Sequence, residues 1–263
     1  MDLTDAYEIG KYIPDAANFA PLWATQAAAF RADLGTRARL DISYGAHQRQ
    51  RLDLFIPEGE VKGLVVFIHG GYWLAFDKSS WSHLAAGPLA RGFAVAMPSY
   101  RLAPEVRIAA ITRDVAAALN TAGAMVAGPI IVTGHSAGGH LAARMGCGAV
   151  DAGVFGRIAR IVPISPISDL RPLMQTAMNA DLQIDAVEAR LESPVFCQPL
   201  VRDVTVWVGA QERSSFLDQA RWLERAWPVA SLRIAPGRHH FDVIEELEQA
   251  HSPLTNALLE GVI

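Results

Sequence analysis

The sequence predicts an α/β fold in which a mostly parallel central sheet is covered by helices on both faces. Short apolar runs, which are typical of strands buried on both sides, alternate with stretches of helical pattern. These runs lie at residues 64–68, 93–97, 130–133, 158–164, 204–209 and 231–235. The chain has 263 residues, 51% of them hydrophobic, which is enough to bury one large core. We therefore expect residues 1–263 to form a single domain.

Three segments depart from this alternation. Residues 1–38 predict a helical N-terminal segment, whose aromatic side chains either form part of a cap or, as we favour, bury one amphipathic helix against the sheet. The runs at 40–44 and 51–56 predict an antiparallel edge. Residues 166–200 contain four prolines among short helical patterns. We expect this stretch to be a small cap insertion over the substrate pocket, with a surface excursion that only packs as the alternative.

Composition excludes several classes of partner. The net charge of −4 arises without long runs of either sign, so we expect no nucleic-acid partner. The longest apolar stretch, 63–76, is too short and too interrupted to span a membrane, and the acidic N-terminus does not resemble a secretory signal. These features predict a cytoplasmic protein, in which Cys147 and Cys197 are expected to be reduced thiols. A homodimer is left open.

A serine within a glycine-rich turn is the first candidate catalytic residue. Ser136 lies in the string GHSAG at residues 134–138, directly between a buried strand and a stretch of helical composition. A strand, a sharp turn and a helix in this order form the nucleophile elbow, which raises a serine hydroxyl above the edge of the sheet. An ordinary loop serine is the alternative. The context favours Ser136 as a nucleophile.

A second motif follows the strand predicted at 64–68. The string HGGYW at residues 69–73 places glycine amides at a strand end, where they can stabilise the negative charge that develops during acyl transfer. One oxyanion donor is expected from Ala137, the residue after the nucleophile, and another from Gly71, with Gly70 nearby. A tight turn with a buried histidine is the alternative.

The acid and the base are expected downstream, because the nucleophile, acid and base follow that order in proteins with this elbow. Glu212 follows the strand predicted at 204–209, and His240 follows the strand predicted at 231–235. Both therefore lie at the edge of the sheet where ligands bind. Asp203 and Asp218 are rivals for the acid, but the first precedes its strand and the second falls within a predicted helix. The adjacent His239 is a rival for the base, and the chemistry of the residues alone hardly distinguishes it from His240.

Four strings together resemble the kynurenine formamidase (arylformamidase) group of α/β-hydrolases. They are HGGYW at 69–73, DKS at 77–79, GHSAGGHL at 134–141 and HF at 240–241. In that group the catalytic histidine precedes a phenylalanine, so the resemblance implies His240 as the base. The segment 209–216 is similar to the acid loop of the group, with Glu212 where aspartate is usual. The resemblance implies an α/β-hydrolase fold.

One string resembles a sister group, the hormone-sensitive-lipase-like esterases. It is YRLAPE at residues 100–105. Those proteins usually carry a third glycine and an aspartate where this chain has Tyr72 and His135, so the comparison favours the formamidase-like group.

These observations predict a serine hydrolase that cleaves a small carboxylic ester or aryl formamide through an acyl-enzyme, most simply an arylformamidase. A general carboxylesterase or thioesterase is the alternative enzyme, and a non-catalytic ligand-binding protein is the alternative of another class. Tyr72 and Trp73 are expected to contact substrate or to pack in place the loop at residues 69–73, which is called the oxyanion loop below. We expect no cofactor and no metal, because His69 and His140 lack metal-binding spacing and suit structural roles.

Overall fold

The computed structural model describes residues 2–148 and 152–262. In these residues eight strands form one sheet in the order β1-β2-β4-β3-β5-β6-β7-β8. The strands are β1 (Ala38–Ser43), β2 (Arg51–Phe55), β3 (Gly63–Ile68), β4 (Phe93–Pro98), β5 (Ile130–His135), β6 (Ile158–Ile164), β7 (Val204–Gly209) and β8 (Ala230–Ala235). The predicted α/β class is confirmed, and strand ends differ from the prediction by one or two residues.

The sheet is antiparallel at one edge and parallel elsewhere. β2 pairs antiparallel with both β1 and β4. The pairs from β4 through β3, β5, β6 and β7 to β8 are all parallel. Since parallel strands end at the same edge, the loops after β3, β5, β7 and β8 converge there.

Helices cover both faces of the sheet. Along β3, Leu64 and Val66 belong to one buried cluster, whereas Val65 and Phe67 belong to a second cluster on the opposite face. This alternation follows from the two-residue period of a strand and explains why β3 is apolar throughout. The α-helices are α1 (Thr4–Tyr7), α2 (Ala16–Leu34), α3 (Ala86–Ala90), α4 (Ile108–Met125), α5 (Ala137–Met145), α6 (Ala152–Phe155), α7 (Asn179–Leu182), α8 (Ala186–Glu192), α9 (Ser214–Ala226) and α10 (Pro253–Leu259).

Short 3-10 helices lie between these elements. They span Gly10–Tyr12, Gly35–Arg37, Lys78–Ser80, Ser82–Ala85, Arg171–Gln175, Pro194–Phe196 and Glu245–Glu248. The stretch 166–200 therefore contains four short helices and no strand among its described residues. None of the helices in the described parts of the chain has the length and apolarity needed to cross a bilayer.

The two cysteines correct one prediction, because they form a disulfide rather than two reduced thiols. Cys147, just after α5, is bonded to Cys197, 50 residues later, with their Cα atoms 6.0 Å apart. The backbone amide of Leu200 also donates to the carbonyl of Gly146 at 2.9 Å. The end of α5 and the segment before β7 are therefore neighbours in space, which two isolated cysteines in the sequence did not reveal.

Candidate active site

Ser136 occupies a strained turn between β5 and α5. Its backbone φ and ψ are 58° and −117°, a region that residues other than glycine seldom adopt. The amide of Ser136 donates to the carbonyl of Ile164 at 2.9 Å, which ties the turn to the end of β6. A Cβ atom at Gly138 would collide with the carbonyl oxygen of Ile68, so only glycine permits α5 to begin this close to β3. This geometry matches that of a nucleophile elbow.

Glu212 and His240 lie side by side beyond the ends of β7 and β8. The Nδ1 atom of His240 is 2.6 Å from Oε2 of Glu212, and both side chains are almost completely buried. Glu212 lies in the turn before α9, whereas Asp218 lies within α9 and Asp203 precedes β7. The parallel pairing of β7 with β8 accounts for the contact, because it places the two following loops next to each other.

His239 has different surroundings from His240. Its Nδ1 atom accepts hydrogen bonds from the amides of Phe241 and Asp242 at 3.2 and 3.3 Å. It is therefore held within its own turn, whereas the ring of His240 faces Glu212 on one side and the substrate pocket on the other. The structure thus distinguishes the surroundings of His239 and His240, which the sequence alone hardly did.

The sequence analysis missed Ser165, which contacts the second oxygen of Glu212. The Ser165 hydroxyl donates to Oε1 of Glu212, and the amide of Gly209 donates to the same oxygen at 3.0 Å. Ser165 directly follows β6, the strand that separates β5 from β7 in the sheet. A polar residue directly after a central strand was therefore the signal that could have identified it.

Ser136 and His240 line the same pocket, which has a volume of about 280 Å³. His135 lines it too, with its ring centroid 4.6 Å from that of His240. Burial, followed by the nearby His240, lowers the pKa of His135 well below 6.5, so its imidazole is neutral near neutral pH. The volume lies just below the usual range for ligand sites and suits a small substrate.

The predicted oxyanion donors surround Ser136. Gly70 and Gly71 line the pocket, and a Cβ atom on Gly70 would lie only 3.2 Å from the Cβ of Ser136. Gly71 has a φ of +106°, which glycine adopts without strain, and its carbonyl closes a turn by accepting from the amide of Leu74. Within the described ranges, the amides of Gly71 and Ala137 make no turn or loop hydrogen bond. Both are free to bind an oxyanion.

Tyr72 and Trp73 differ in their surroundings, although both were expected at the pocket. Tyr72 lines the pocket and donates its hydroxyl hydrogen to the carbonyl of Tyr7 at 2.6 Å. Trp73 is fully buried outside the pocket lining and packs edge-to-face on His140, with ring centroids 5.1 Å apart. Its position corrects the expectation of substrate contact, because its indole fills the core beneath the oxyanion loop.

His69 and His140 make local hydrogen bonds to backbone carbonyls. Nδ1 of His69 is 2.7 Å from the carbonyl oxygen of Gly70, and Nε2 of His140 is 2.7 Å from that of Glu192. Burial lowers the pKa of His69 to about 4 and that of His140 to about 3, so both are neutral near neutral pH. Across residues 2–148 and 152–262, no group of three or more His, Cys, Asp or Glu side chains is arranged to hold a metal ion.

The N-terminal segment forms much of the pocket wall, although the sequence favoured a packing role for its aromatic residues. Lining residues from this segment are Thr4, Tyr7, Glu8, Ile9, Gly10 and Trp23. Residues 166–200 contribute Met178. Gln219 of α9 joins the two segments, because its Nε2 atom donates to the Tyr7 hydroxyl and to the carbonyl of Asp169, each at 2.8 Å.

Comparisons with known proteins identify the family of the chain. The profile of the alpha/beta hydrolase fold family matches residues 65–221. The kynurenine formamidase of Danio rerio is 27% identical over 88% of this chain and 84% of its own length. The kynurenine formamidase of Drosophila melanogaster is 30% identical over 75% of this chain and 73% of its own length.

A solved structure from Silicibacter sp. TM1040, provisionally assigned as a thioesterase, is 53% identical. It covers 98% of this chain and 99% of its own, with a TM-score of 0.96. Together these relatives support a hydrolase of the arylformamidase and esterase type. The chain therefore belongs to the α/β-hydrolase family and, within it, to the arylformamidase-like and esterase group.

Proposed function

We propose that the protein is a serine hydrolase in which Ser136 is the nucleophile, His240 the general base and Glu212 the orienting acid. The hydrogen bond of 2.6 Å between Glu212 and His240, at a pocket that Ser136 also lines, is the observation that carries this proposal. The strained backbone of Ser136 also supports the proposal, because a nucleophile elbow has this geometry. A protein that only binds a ligand requires neither a strained serine nor a hydrogen-bonded pair of carboxylate and imidazole beside it.

The proposed reaction begins with proton transfer from Ser136 to His240. The hydrogen bond to Glu212 holds the proton of neutral His240 on Nδ1, which leaves Nε2 to accept the serine proton as Oγ attacks the substrate carbonyl. Buried Glu212 then stabilises the imidazolium that forms. His240 returns the proton to the leaving amine or alcohol, and water repeats the two steps on the acyl-enzyme.

The amides of Gly71 and Ala137, with Gly70 beside them, are the proposed oxyanion donors. Gly71 lines the pocket, Ala137 directly follows Ser136, and the amides of both make no turn or loop hydrogen bond within the described residues. Fixed donors of this kind are each worth about a hundred- to a thousand-fold in rate. Tyr72 is the proposed substrate contact from the same loop.

The proposed substrates are small aryl formamides, such as the formamide named in the curated relatives. A thioester or carboxylic ester is the second candidate, because the 53% identical Silicibacter structure carries a provisional thioesterase assignment. All of these substrates pass through the same tetrahedral intermediate. The narrow pocket, with aromatic side chains in its walls, suits a small acyl group and a single-ring leaving group.

The test of this proposal is kcat/KM on N-formylkynurenine, p-nitrophenyl esters and an acyl thioester, with Ser136→Ala as the blank. An arylformamidase should prefer the formamide by about a thousand-fold or more, roughly 4 kcal/mol of differential transition-state binding. Activity confined to esters or thioesters would keep the triad and exclude the formamide assignment.

We also propose a cytoplasmic location and a homodimeric state. The disulfide between Cys147 and Cys197 makes the location testable, because such bonds persist mainly in oxidising compartments and a cytoplasmic protein should carry the two residues as thiols. Alkylation of thiols at lysis tests the location, because the mass of the protein increases only if Cys147 and Cys197 are reduced.

Two exposed apolar side chains support the homodimeric state. Val187 and Leu191 lie one turn apart on α8 and are 68% and 65% exposed. Light scattering should then show a dimer for the native chain and a monomer for Val187→Glu.

A further inference from the structure

The pocket carries one carboxylate, and no lysine or arginine is among its described lining residues. That carboxylate is Glu8, in the loop after α1. The remaining titratable groups in the lining are Tyr7, Tyr72 and two histidines, of which His135 is held neutral by burial. The fixed charge of the pocket is therefore negative and comes from a single residue.

The backbone around Glu8 is anchored against the oxyanion loop and α9. The hydroxyl of Tyr72 donates to the carbonyl of Tyr7, the residue before Glu8, and the hydroxyl of Ser215 donates to the carbonyl of Ala6. The Oε1 atom of Glu8 lies 3.8 Å from the position that a Cβ atom would take on Gly10, another lining residue. The carboxylate of Glu8 therefore lies beside a residue of the pocket lining.

Basic side chains near this segment pair with Asp5 instead of Glu8. The Nζ atom of Lys11 is 3.0 Å from one carboxylate oxygen of Asp5, and Nη2 of Arg213 is 2.9 Å from the other. Within the described parts of the chain, no side chain forms an ion pair or hydrogen bond with the carboxylate of Glu8. Glu8 therefore remains available to a ligand.

Aromatic rings form another part of the pocket lining. Trp23 packs against Trp81 and Phe241, with centroid separations of 4.7 and 5.5 Å, and all three line the pocket. Phe76 extends this part of the lining. A protonated amine placed between a carboxylate and aromatic faces is stabilised by both, because ring faces carry partial negative charge. A carboxylate in the same place is repelled by Glu8 and finds no lysine or arginine among the described lining residues.

We propose that Glu8 selects substrates whose leaving group carries a protonated amine, and disfavours those whose leaving group carries only a carboxylate. This inference rests on the proposed hydrolase function and names the substrate class of the same pocket. Glu8 acts as a specificity-determining residue and takes no part in the chemical steps at Ser136. Its contribution should decrease as salt screens the partly exposed charge.

Three matched aryl acetates test the proposal: 4-(2-aminoethyl)phenyl acetate, 4-ethylphenyl acetate and 3-(4-acetoxyphenyl)propanoate. They carry a cation, no charge and an anion, and two methylene groups separate each charge from the ring, so the phenols leave with similar ease. We expect kcat/KM of the native enzyme at low salt to favour the cation over the anion by about tenfold or more. The neutral ester should fall between them.

The variant Glu8→Gln should reduce this ratio to about threefold or less. Glu60→Gln removes the same charge from an exposed position outside the pocket and should keep the native ratio. A native ratio near one, or a ratio that survives in Glu8→Gln, overturns the proposal. Because Glu8 is exposed, the variant should fold like the native chain, which its thermal unfolding checks.

Failure of the proposed hydrolase function gives a different result. In that case none of the acetates is hydrolysed, and the selectivity is measured as binding of the same three esters to Ser136→Ala by calorimetry. The cation should bind more tightly than the anion by a similar factor, and Glu8→Gln in that background should remove the difference. Equal affinities, or no measurable binding of any ester, overturn the charge selection.

Discussion

The hydroxyl of Ser165 donates a hydrogen bond to Oε1 of Glu212, the carboxylate oxygen that does not face His240. This contact fixes the rotation of the carboxylate and satisfies a buried acceptor. Ser165 thereby acts as a positioning residue, one step removed from the proposed chemistry.

Replacing Ser165 by alanine should lower kcat/KM by about tenfold, because one hydrogen bond to a buried carboxylate is lost and its orientation is relaxed. The loss should fall on kcat, since the side chain is not part of the pocket lining. Ser214→Ala, at the start of α9, is the matched control and should retain native kinetics. An effect of Ser165→Ala on KM alone would mean that the residue shapes the pocket instead.

Glu212→Gln should reduce kcat by about a hundred- to ten-thousand-fold, because the amide can present the wrong group to Nδ1 of His240 and cannot stabilise the imidazolium. Asp218→Asn is the control, since Asp218 is half exposed and pairs with Arg221 at 3.3 Å. Its kcat should stay within about twofold of native. Greater damage from Asp218→Asn than from Glu212→Gln would identify Asp218 as the acid.

The free energy of unfolding should depend on pH through buried His83. Burial, followed by the nearby Arg31, lowers the pKa of His83 to about 4, whereas the pKa in the unfolded chain is about 6.5. Between these values the unfolded state binds a proton that the folded state does not. The contribution of neutral His83 to the free energy of unfolding is therefore fully present above about pH 6.5. It decreases as the pH falls toward about 4, by at most about 1.4 kcal/mol per pH unit.

Urea unfolding of the native chain and of His83→Gln across this pH range measures the effect. The variant should show a shallower decrease between about pH 6.5 and 4. His251→Gln removes an exposed histidine and should keep the native slope. Equal slopes for the native chain and His83→Gln would show that His83 titrates alike in both states.

The disulfide should stabilise the fold by about 2–4 kcal/mol, because it closes a loop of 50 residues in the unfolded chain. Cys197→Ser should lower the urea midpoint accordingly, and reduction of the native protein should have the same effect. Cys147→Ser is the matched control and should lose as much as Cys197→Ser. A midpoint that reduction leaves unchanged would show that the bond is absent in solution.

The parallel part of the sheet was predictable because each buried strand is an apolar run that ends at a polar or glycine-rich turn. The same reasoning placed Glu212 and His240 after neighbouring strands. In the structure Oε2 of Glu212 lies 2.6 Å from Nδ1 of His240. The two strands are consecutive in the chain and pair in parallel, which brings the loops that follow them together.

Contacts between segments distant in the chain could not be predicted from a single sequence. The N-terminal Tyr7 and Glu8 reach the pocket only because α9 and the oxyanion loop hold the preceding backbone. The pairing of Cys147 with Cys197 likewise depends on how 166–200 folds back on α5. Such contacts have no period or motif in the local sequence, and the aromatic composition of 1–38 suited a packing helix equally well.

The most direct test of the account is covalent labelling of Ser136 by a fluorophosphonate, followed by peptide mapping. An activated serine reacts readily and an ordinary one reacts poorly, so the account predicts one label, on Ser136, that Ser136→Ala abolishes and His240→Ala slows by about a thousand-fold or more. Loss of hydrolysis should parallel loss of labelling. A label elsewhere, or hydrolysis that persists in Ser136→Ala, would contradict the proposed triad.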